Sequence, residues 1–236
     1  MATPTIVFDL DGTLVDTAPD LIETLNVILA ADGLPHVPYD DARRLIGFGA
    51  RRMIEGGLAR AGRNTADVER MYDAFIDHYS AHVADRSRPF PGVLEALDTL
   101  AGRGFTLAVC TNKLEWLSVQ LLTALGLAER FAAICGQDTF GVQKPDPKIL
   151  LGTLRKAGGD RGRAVMVGDS RPDIAVARAA GIPVVAVDFG YAEVAIDQLD
   201  PDRIISNYNQ LSESVDTLLQ LRATSPGGGP ARPEYR

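Results

Sequence analysis

Residues 6–14 read Ile-Val-Phe-Asp-Leu-Asp-Gly-Thr-Leu. No other segment constrains the fold as strongly. Ile6, Val7 and Phe8 predict a short buried strand over residues 6–9. The strand runs straight into two carboxylates one residue apart, and Gly12 supplies a turn. On an extended backbone, residues i and i+2 face the same way, so Asp9 and Asp11 converge at the strand end. Two acids held there suit attack by one carboxylate and proton transfer by the other, beside a divalent metal.

The rest of the chain alternates between two periods. Pro19 suits the start of a helix, and Leu21, Ile22, Leu25, Ile28 and Leu29 follow at helical spacing until Gly33 and Pro35. A second helix is predicted from near Ala50. A third carries Val68, Met71, Tyr72, Phe75, Ile76 and Tyr79. No strand is predicted between residues 16 and 85, so this block reads as an all-helical insertion. After Arg88-Pro-Phe-Pro-Gly92 the pattern changes. Strands are predicted at 105–110, 132–135, 163–167, 182–187 and 204–205. Helices are predicted at 93–100, 117–125, 146–157, 172–180 and 211–219. Apolar strands alternating with helices imply a parallel sheet covered on both faces, with ligands beyond the carboxyl ends of its strands. The expected fold is α/β, a Rossmann-like doubly wound parallel sheet with an inserted small helical cap. Residues 1–15 and 86–222 would form the core and 16–85 the cap. The glycine-rich segment 223–236 reads as a disordered tail.

With 236 residues, 46% of them apolar, the chain can build a sizeable core. Its formal charge of −7 argues against a nucleic-acid partner, which requires a basic face. No apolar run approaches the roughly 20 residues of a membrane span. Residue 1 onward lacks a signal-peptide pattern, so a cytoplasmic location is expected. Cys110 and Cys135 lie in apolar stretches and read as buried, reduced thiols. His78 and His82 share a helix face without an intervening acid and read as a solvated or core-edge pair. Trp116, the single tryptophan, reads as a packing residue.

Four polar clusters follow predicted strands: Asp9-Leu-Asp11-Gly-Thr13, Thr111-Asn112-Lys113, Lys144-Pro-Asp-Pro147 and Gly168-Asp169-Ser-Arg-Pro-Asp173. Each alone has a plain structural reading as a turn or helix cap. In a parallel sheet, however, all four lie along one edge and can meet.

Together these clusters resemble the four motifs of the haloacid dehalogenase superfamily, over residues 5 to about 220. Asp-Gly-Thr-Leu-Val-Asp16-Thr-Ala-Pro-Asp20, Thr111-Asn112-Lys113 and Gly47-Phe48-Gly49 are similar to its phosphoglycolate phosphatase branch. The resemblance implies that Asp9 is the nucleophile, forming an aspartyl phosphate, and that Asp11 is the general acid and base. It implies a Mg²⁺ ion held by Asp9, the Asp11 carbonyl and Asp169. Asp173 would be a further ligand or an acceptor just behind them. Thr111 would hold phosphate oxygens, and Lys144 would neutralise nucleophile and phosphoryl group together. A carboxylate at position 11 fits a phosphatase or mutase, whose leaving group needs a proton.

Substrate contacts are expected from Thr111, Asn112 and Lys113. In the cap, Gly47 and Gly49 precede a helix and expose backbone N–H groups, with Arg51 or Arg52 as a fork donor. The implied activity is hydrolysis of a small phosphorylated metabolite, 2-phosphoglycolate first, by a monomer or homodimer. Other phosphate esters or pyrophosphate, a β-phosphoglucomutase-like isomerisation and a non-catalytic phosphate sensor are the competing readings.

Overall fold

The computed structural model describes residues 3–224. In chain order the strands are β1 (Thr5–Phe8), β2 (Val15–Asp16), β3 (Arg88–Pro89), β4 (Thr106–Cys110), β5 (Ala133–Cys135), β6 (Ala164–Gly168), β7 (Val184–Val187) and β8 (Arg203–Ile205). The helices are α1 (Ala18–Ala31), α2 (Tyr39–Arg43), α3 (Ala50–Arg60), α4 (Val68–Ala81), α5 (Val93–Gly102), α6 (Glu115–Ala124), α7 (Pro147–Lys156), α8 (Arg171–Ala180) and α9 (Leu211–Thr224). Among the described residues, no helix is long and apolar enough to cross a membrane.

Six strands form one parallel sheet in the order β5-β4-β1-β6-β7-β8. The apolar runs require this burial on both faces. Ile6 and Phe8 face one apolar cluster with Leu97, Leu121, Leu211 and Val215. Val7 faces the other, with Ile149, Leu150, Ile174 and Ala177. All three strand residues are fully buried, each worth about 1.5–3 kcal/mol relative to exposure. The fold is the expected doubly wound α/β sheet.

Register delivers the polar clusters to one place. Phe8 pairs with Val109 on one side and Val167 on the other. Asp9 therefore leaves the sheet level with the ends of β4 and β6. The segments that carry Thr111–Lys113 and Asp169–Asp173 start from those same ends.

Helices α1, α3 and α4 pack on one another through Leu25, Leu29, Met53, Ile54, Met71, Phe75 and Tyr79. The chain enters this block through β2 and returns through β3, which pair antiparallel, Val15 with Pro89 and Asp16 with Arg88. These two-residue strands were not expected, because two residues and a proline carry no readable period. Helix α2 was likewise unexpected; it has five residues. Asp20 ties the two crossings together. Its carboxylate accepts from the backbone N–H groups of Arg86 (3.0 and 3.1 Å) and Ser87 (2.8 Å) and from the Ser87 hydroxyl (2.6 Å).

Cys110 and Cys135 are free and buried. His78 Nδ1 lies 3.1 Å from the Thr24 hydroxyl, and His82 pairs with Asp85 at the surface. Trp116 departs from expectation: it is 47% exposed on α6 rather than packed away. The last helix runs through Thr224, two residues into the segment read as a tail; residues 225–236 lie outside the described residues.

Candidate active site

Asp9 and Asp11 stand at the end of β1, 3% and 7% exposed. The Asp9 backbone N–H donates to Val167 O at 2.8 Å, which extends the ladder with β6 by one bond. Gly12 then turns the chain at a φ of +84°, and a Cβ there would sit 2.5 Å from Asp169 Oδ2. Both the left-handed conformation and the close approach call for glycine.

Lys144 arrives from the loop before α7 with its ammonium fully enclosed. Nζ is 2.6 Å from Asp173 Oδ1, a hydrogen bond, and 2.7 Å from Asp9 Oδ1. The second contact is a close charge pairing without hydrogen-bond alignment, and it leaves Asp9 Oδ1 with no well-directed donor. Burial, then Asp173, push the Asp9 carboxyl up to about 7, against the pull of Lys144. Burial by itself would lower Lys144. The Asp173 and Asp9 carboxylates outweigh it and hold the ammonium above its ordinary value.

Asp169 follows β6 and is fully buried. One of its oxygens accepts from the Thr13 hydroxyl (2.9 Å), the other from Tyr191 N–H (2.6 Å). Burial, with Asp173 and Asp9 nearby, raises its carboxyl well above the usual range. Asp173, one turn into α8, accepts with Oδ2 from the Asp169 and Ser170 backbone N–H groups (3.2 and 3.1 Å) and the Ser170 hydroxyl (2.7 Å). It thus fastens the start of α8 while its other oxygen fixes Lys144.

Asp9, Asp169 and Asp173 each offer a carboxylate oxygen within 4.8 Å of the others'. An all-oxygen, anionic, buried donor set with an underused Asp9 oxygen fits a hard divalent cation. One lysine against three buried carboxylates leaves the cluster short of positive charge.

The second motif closes the opposite side. Thr111, 1% exposed, accepts from Lys113 N–H at 3.2 Å with its hydroxyl. Lys113 Nζ lies 3.1 Å from Asp11 Oδ1, whose other neighbour is the Thr17 hydroxyl at 2.7 Å. Burial would lower the Lys113 ammonium, but Asp11 and Tyr79 more than compensate and hold it above its ordinary value. Asn112 accepts from Lys144 N–H (2.8 Å) and donates to Gly47 O and Lys144 O (3.3 Å each). Its amide therefore joins the lysine loop to the helical block while edging the cavity.

A partly enclosed cavity lies between the strand ends and the helical block. Asp9, Asp11, Thr111, Asn112, Lys113, Gly47 and Gly49 border it, with Tyr79 and apolar side chains of the helical block opposite. Gly47 is forced by proximity: a Cβ there would meet Ser170 Oγ at 2.9 Å. Arg51, expected at the substrate, lies away from this wall. Its guanidinium is taken by Glu69 (2.9 and 3.0 Å) and stacks 3.7 Å from the centre of the Tyr72 ring. Arg52 pairs with Glu55.

Sequence reasoning missed Tyr79 as a cavity residue and Tyr191 altogether. Tyr79 was legible only as one apolar position of α4. Tyr191 sits in a loop without a motif, yet its hydroxyl donates to Asp16 Oδ1 (2.5 Å) and accepts from Ala18 N–H (3.0 Å), while its N–H binds Asp169.

A parallel α/β sheet that gathers carboxylates, two buried lysines and a cavity at its carboxyl edge defines an acidic site suited to phosphate chemistry beside a cation. The chain belongs to the haloacid dehalogenase-like hydrolase family, whose sequence profile matches residues 6–187, and it is a phosphatase of that family. It is 51% identical to a phosphoglycolate phosphatase of Mesorhizobium japonicum, over 90% of this chain and 94% of the relative. It is 49% identical to one of Agrobacterium fabrum, over 90% and 92%. A crystal structure from Haemophilus somnus, described as a "predicted phosphoglycolate phosphatase", superimposes with a TM-score of 0.81 at 31% identity, covering 89% of this chain and 97% of that one.

Proposed function

We propose that this chain hydrolyses 2-phosphoglycolate to glycolate and phosphate, with Mg²⁺ as its metal. The observation that carries the reading is the cavity at the strand ends, which Lys113, Asp9 and Asp11 border, with Lys144 paired to Asp9 just behind it. The names of its relatives supply the ester. Residues 1–15 and 86–222 act as the catalytic core and 16–85 as the cap.

In this reading an Asp9 oxygen attacks phosphorus. The bond from phosphorus to the ester oxygen breaks, and Asp11 gives that oxygen its proton. Water then attacks the aspartyl phosphate, Asp11 takes the water's proton, and phosphate leaves with Asp9 restored. Lys144 keeps charge from building up between Asp9 and the phosphoryl oxygens. Thr111 and adjacent backbone N–H groups hold those oxygens. Asp9, the Asp11 carbonyl and Asp169 would hold Mg²⁺, with Asp173 behind them. When bound, the ion supplies charge neutralisation for phosphoryl group and nucleophile. The helical block keeps bulk water away from the acyl phosphate.

A panel of phosphomonoesters assayed with millimolar Mg²⁺ tests this directly. 2-Phosphoglycolate is expected at or near the top, and a place among the poorest substrates would remove the substrate assignment.

Metal binding should also depend on pH in a defined direction. Because Asp9 titrates at about 7 when folded, the folded chain carries more protons there than the unfolded chain between the ordinary carboxylate range and pH 7. The stability contributed by this group therefore falls as pH rises through that window. A cation must displace the same proton, so it binds more tightly as pH rises. Melting curves with and without Mg²⁺ should show a larger stabilisation at about pH 8 than at about pH 5.5. An equal or larger shift at the lower pH would contradict the assignment of these carboxylates as ligands.

A further inference from the structure

The cavity wall supplied by α4 contains a group that the phosphoryl chemistry does not use, the Tyr79 phenol. This side chain is 1% exposed, and its hydroxyl, beside the Lys113 ammonium, has no well-directed hydrogen-bond partner and no acceptor for its proton. A buried hydroxyl without a partner is unfavourable, and natural structures contain few of them. Burial keeps its proton in place up to about 12, so at neutral pH it is a donor looking for an acceptor. The Lys113 ammonium lies 4.5 Å from the centre of the Tyr79 ring. The hydroxyl and the ammonium therefore stand together on a wall whose other members from the helical block include Leu21, Met53, Phe75 and Ile76.

We propose that Tyr79 determines leaving-group specificity: its hydroxyl, together with the Lys113 ammonium, receives a carboxylate on the substrate's leaving group. The inference rests on the phosphatase reading above and deepens it. Lys113 Nζ is 3.1 Å from Asp11 Oδ1, and Asp11 serves the ester oxygen. A carboxylate separated from that oxygen by one methylene falls within reach of the same ammonium. The carboxylate would give the phenol the partner it lacks, whereas an uncharged alkyl group would leave the phenol unpaired. Sites built to hydrogen-bond a group discriminate strongly against analogues that lack it.

The test compares Tyr79→Phe with the unaltered enzyme on 2-phosphoglycolate and on ethyl phosphate, which keeps the two-carbon leaving group but has no carboxylate. The kcat/KM for 2-phosphoglycolate should fall on the order of tenfold, chiefly through KM, as expected for losing a hydrogen bond to a charged group. Ethyl phosphate turnover should fall much less, because that ester has no carboxylate to lose the contact. The melting temperature should change little, because the hydroxyl makes no well-directed hydrogen bond within the protein. Equal losses on both esters, or no loss on 2-phosphoglycolate, would overturn the proposal while leaving the proposed function intact. If the unaltered enzyme itself fails to prefer 2-phosphoglycolate over ethyl phosphate, the proposed function falls and this inference falls with it.

Discussion

Replacing Asp9 with asparagine is expected to abolish turnover, by on the order of 10⁵-fold, with little change in folding stability. The amide has the shape of the carboxylate but cannot form an acyl phosphate at this position. Stability should hold because the wild-type carboxylate is costly where it stands. It is buried, it faces Asp173 and Asp169, and its proton is retained up to about 7. Lys144 keeps its hydrogen bond to Asp173 after the change. A rapid-quench experiment with labelled substrate should trap phosphate on the wild-type protein and none on Asp9→Asn. Near-normal turnover by the variant would dismiss Asp9 as nucleophile.

Lys144→Met should damage both activity and folding. The ammonium is the partner nearest to two buried carboxylates, at 2.7 and 2.6 Å. Taking one member from a buried ion cluster costs about 3–5 kcal/mol, since the charges left behind have neither water nor a counter-ion. Part of that cost is recovered if the carboxyls take up protons, so the loss should be greater at about pH 8 than at about pH 5.5. Turnover should fall by at least about 10²–10³-fold, as for loss of a principal electrostatic stabiliser. Chemical denaturation with and without Mg²⁺ separates the two effects, because a divalent cation restores stability without replacing the lysine's place beside the phosphoryl group. A variant as stable as the parent at alkaline pH would show that the lysine is not holding the cluster together.

The sheet was readable because its strands are continuous apolar runs with helical periods between them, and the strand ends brought the four motifs into register. Asp9, Asp11, Thr111, Asp169 and Asp173 could be marked from sequence because each follows a strand at short range, and Lys144 because its motif follows β5 after a loop. What stayed hidden was whatever depends on packing between distant segments. Arg51 looked like a free fork donor, but the sequence did not show that Glu69, 18 residues on, would occupy it. Tyr79 looked like core, because a helical period records that a residue is buried and not whether its polar end finds a partner. Asn112 looked like a substrate contact. It borders the cavity, and its amide also fastens the Lys144 loop to Gly47, a role visible only after the loops have met.

The two-stranded ribbon of β2 and β3 has a consequence for how such a protein can diversify. β1 and β4 are hydrogen-bonded neighbours in the sheet, although about seventy residues, mostly helical, intervene between β2 and β3. That excursion departs and returns at adjacent points, like a bight in a rope, so shortening, lengthening or exchanging it leaves every rung of the main ladder in place. On the proposed function, selectivity for the departing alcohol can thus be rewritten by evolution or by grafting, while the machinery that handles phosphorus is inherited unaltered.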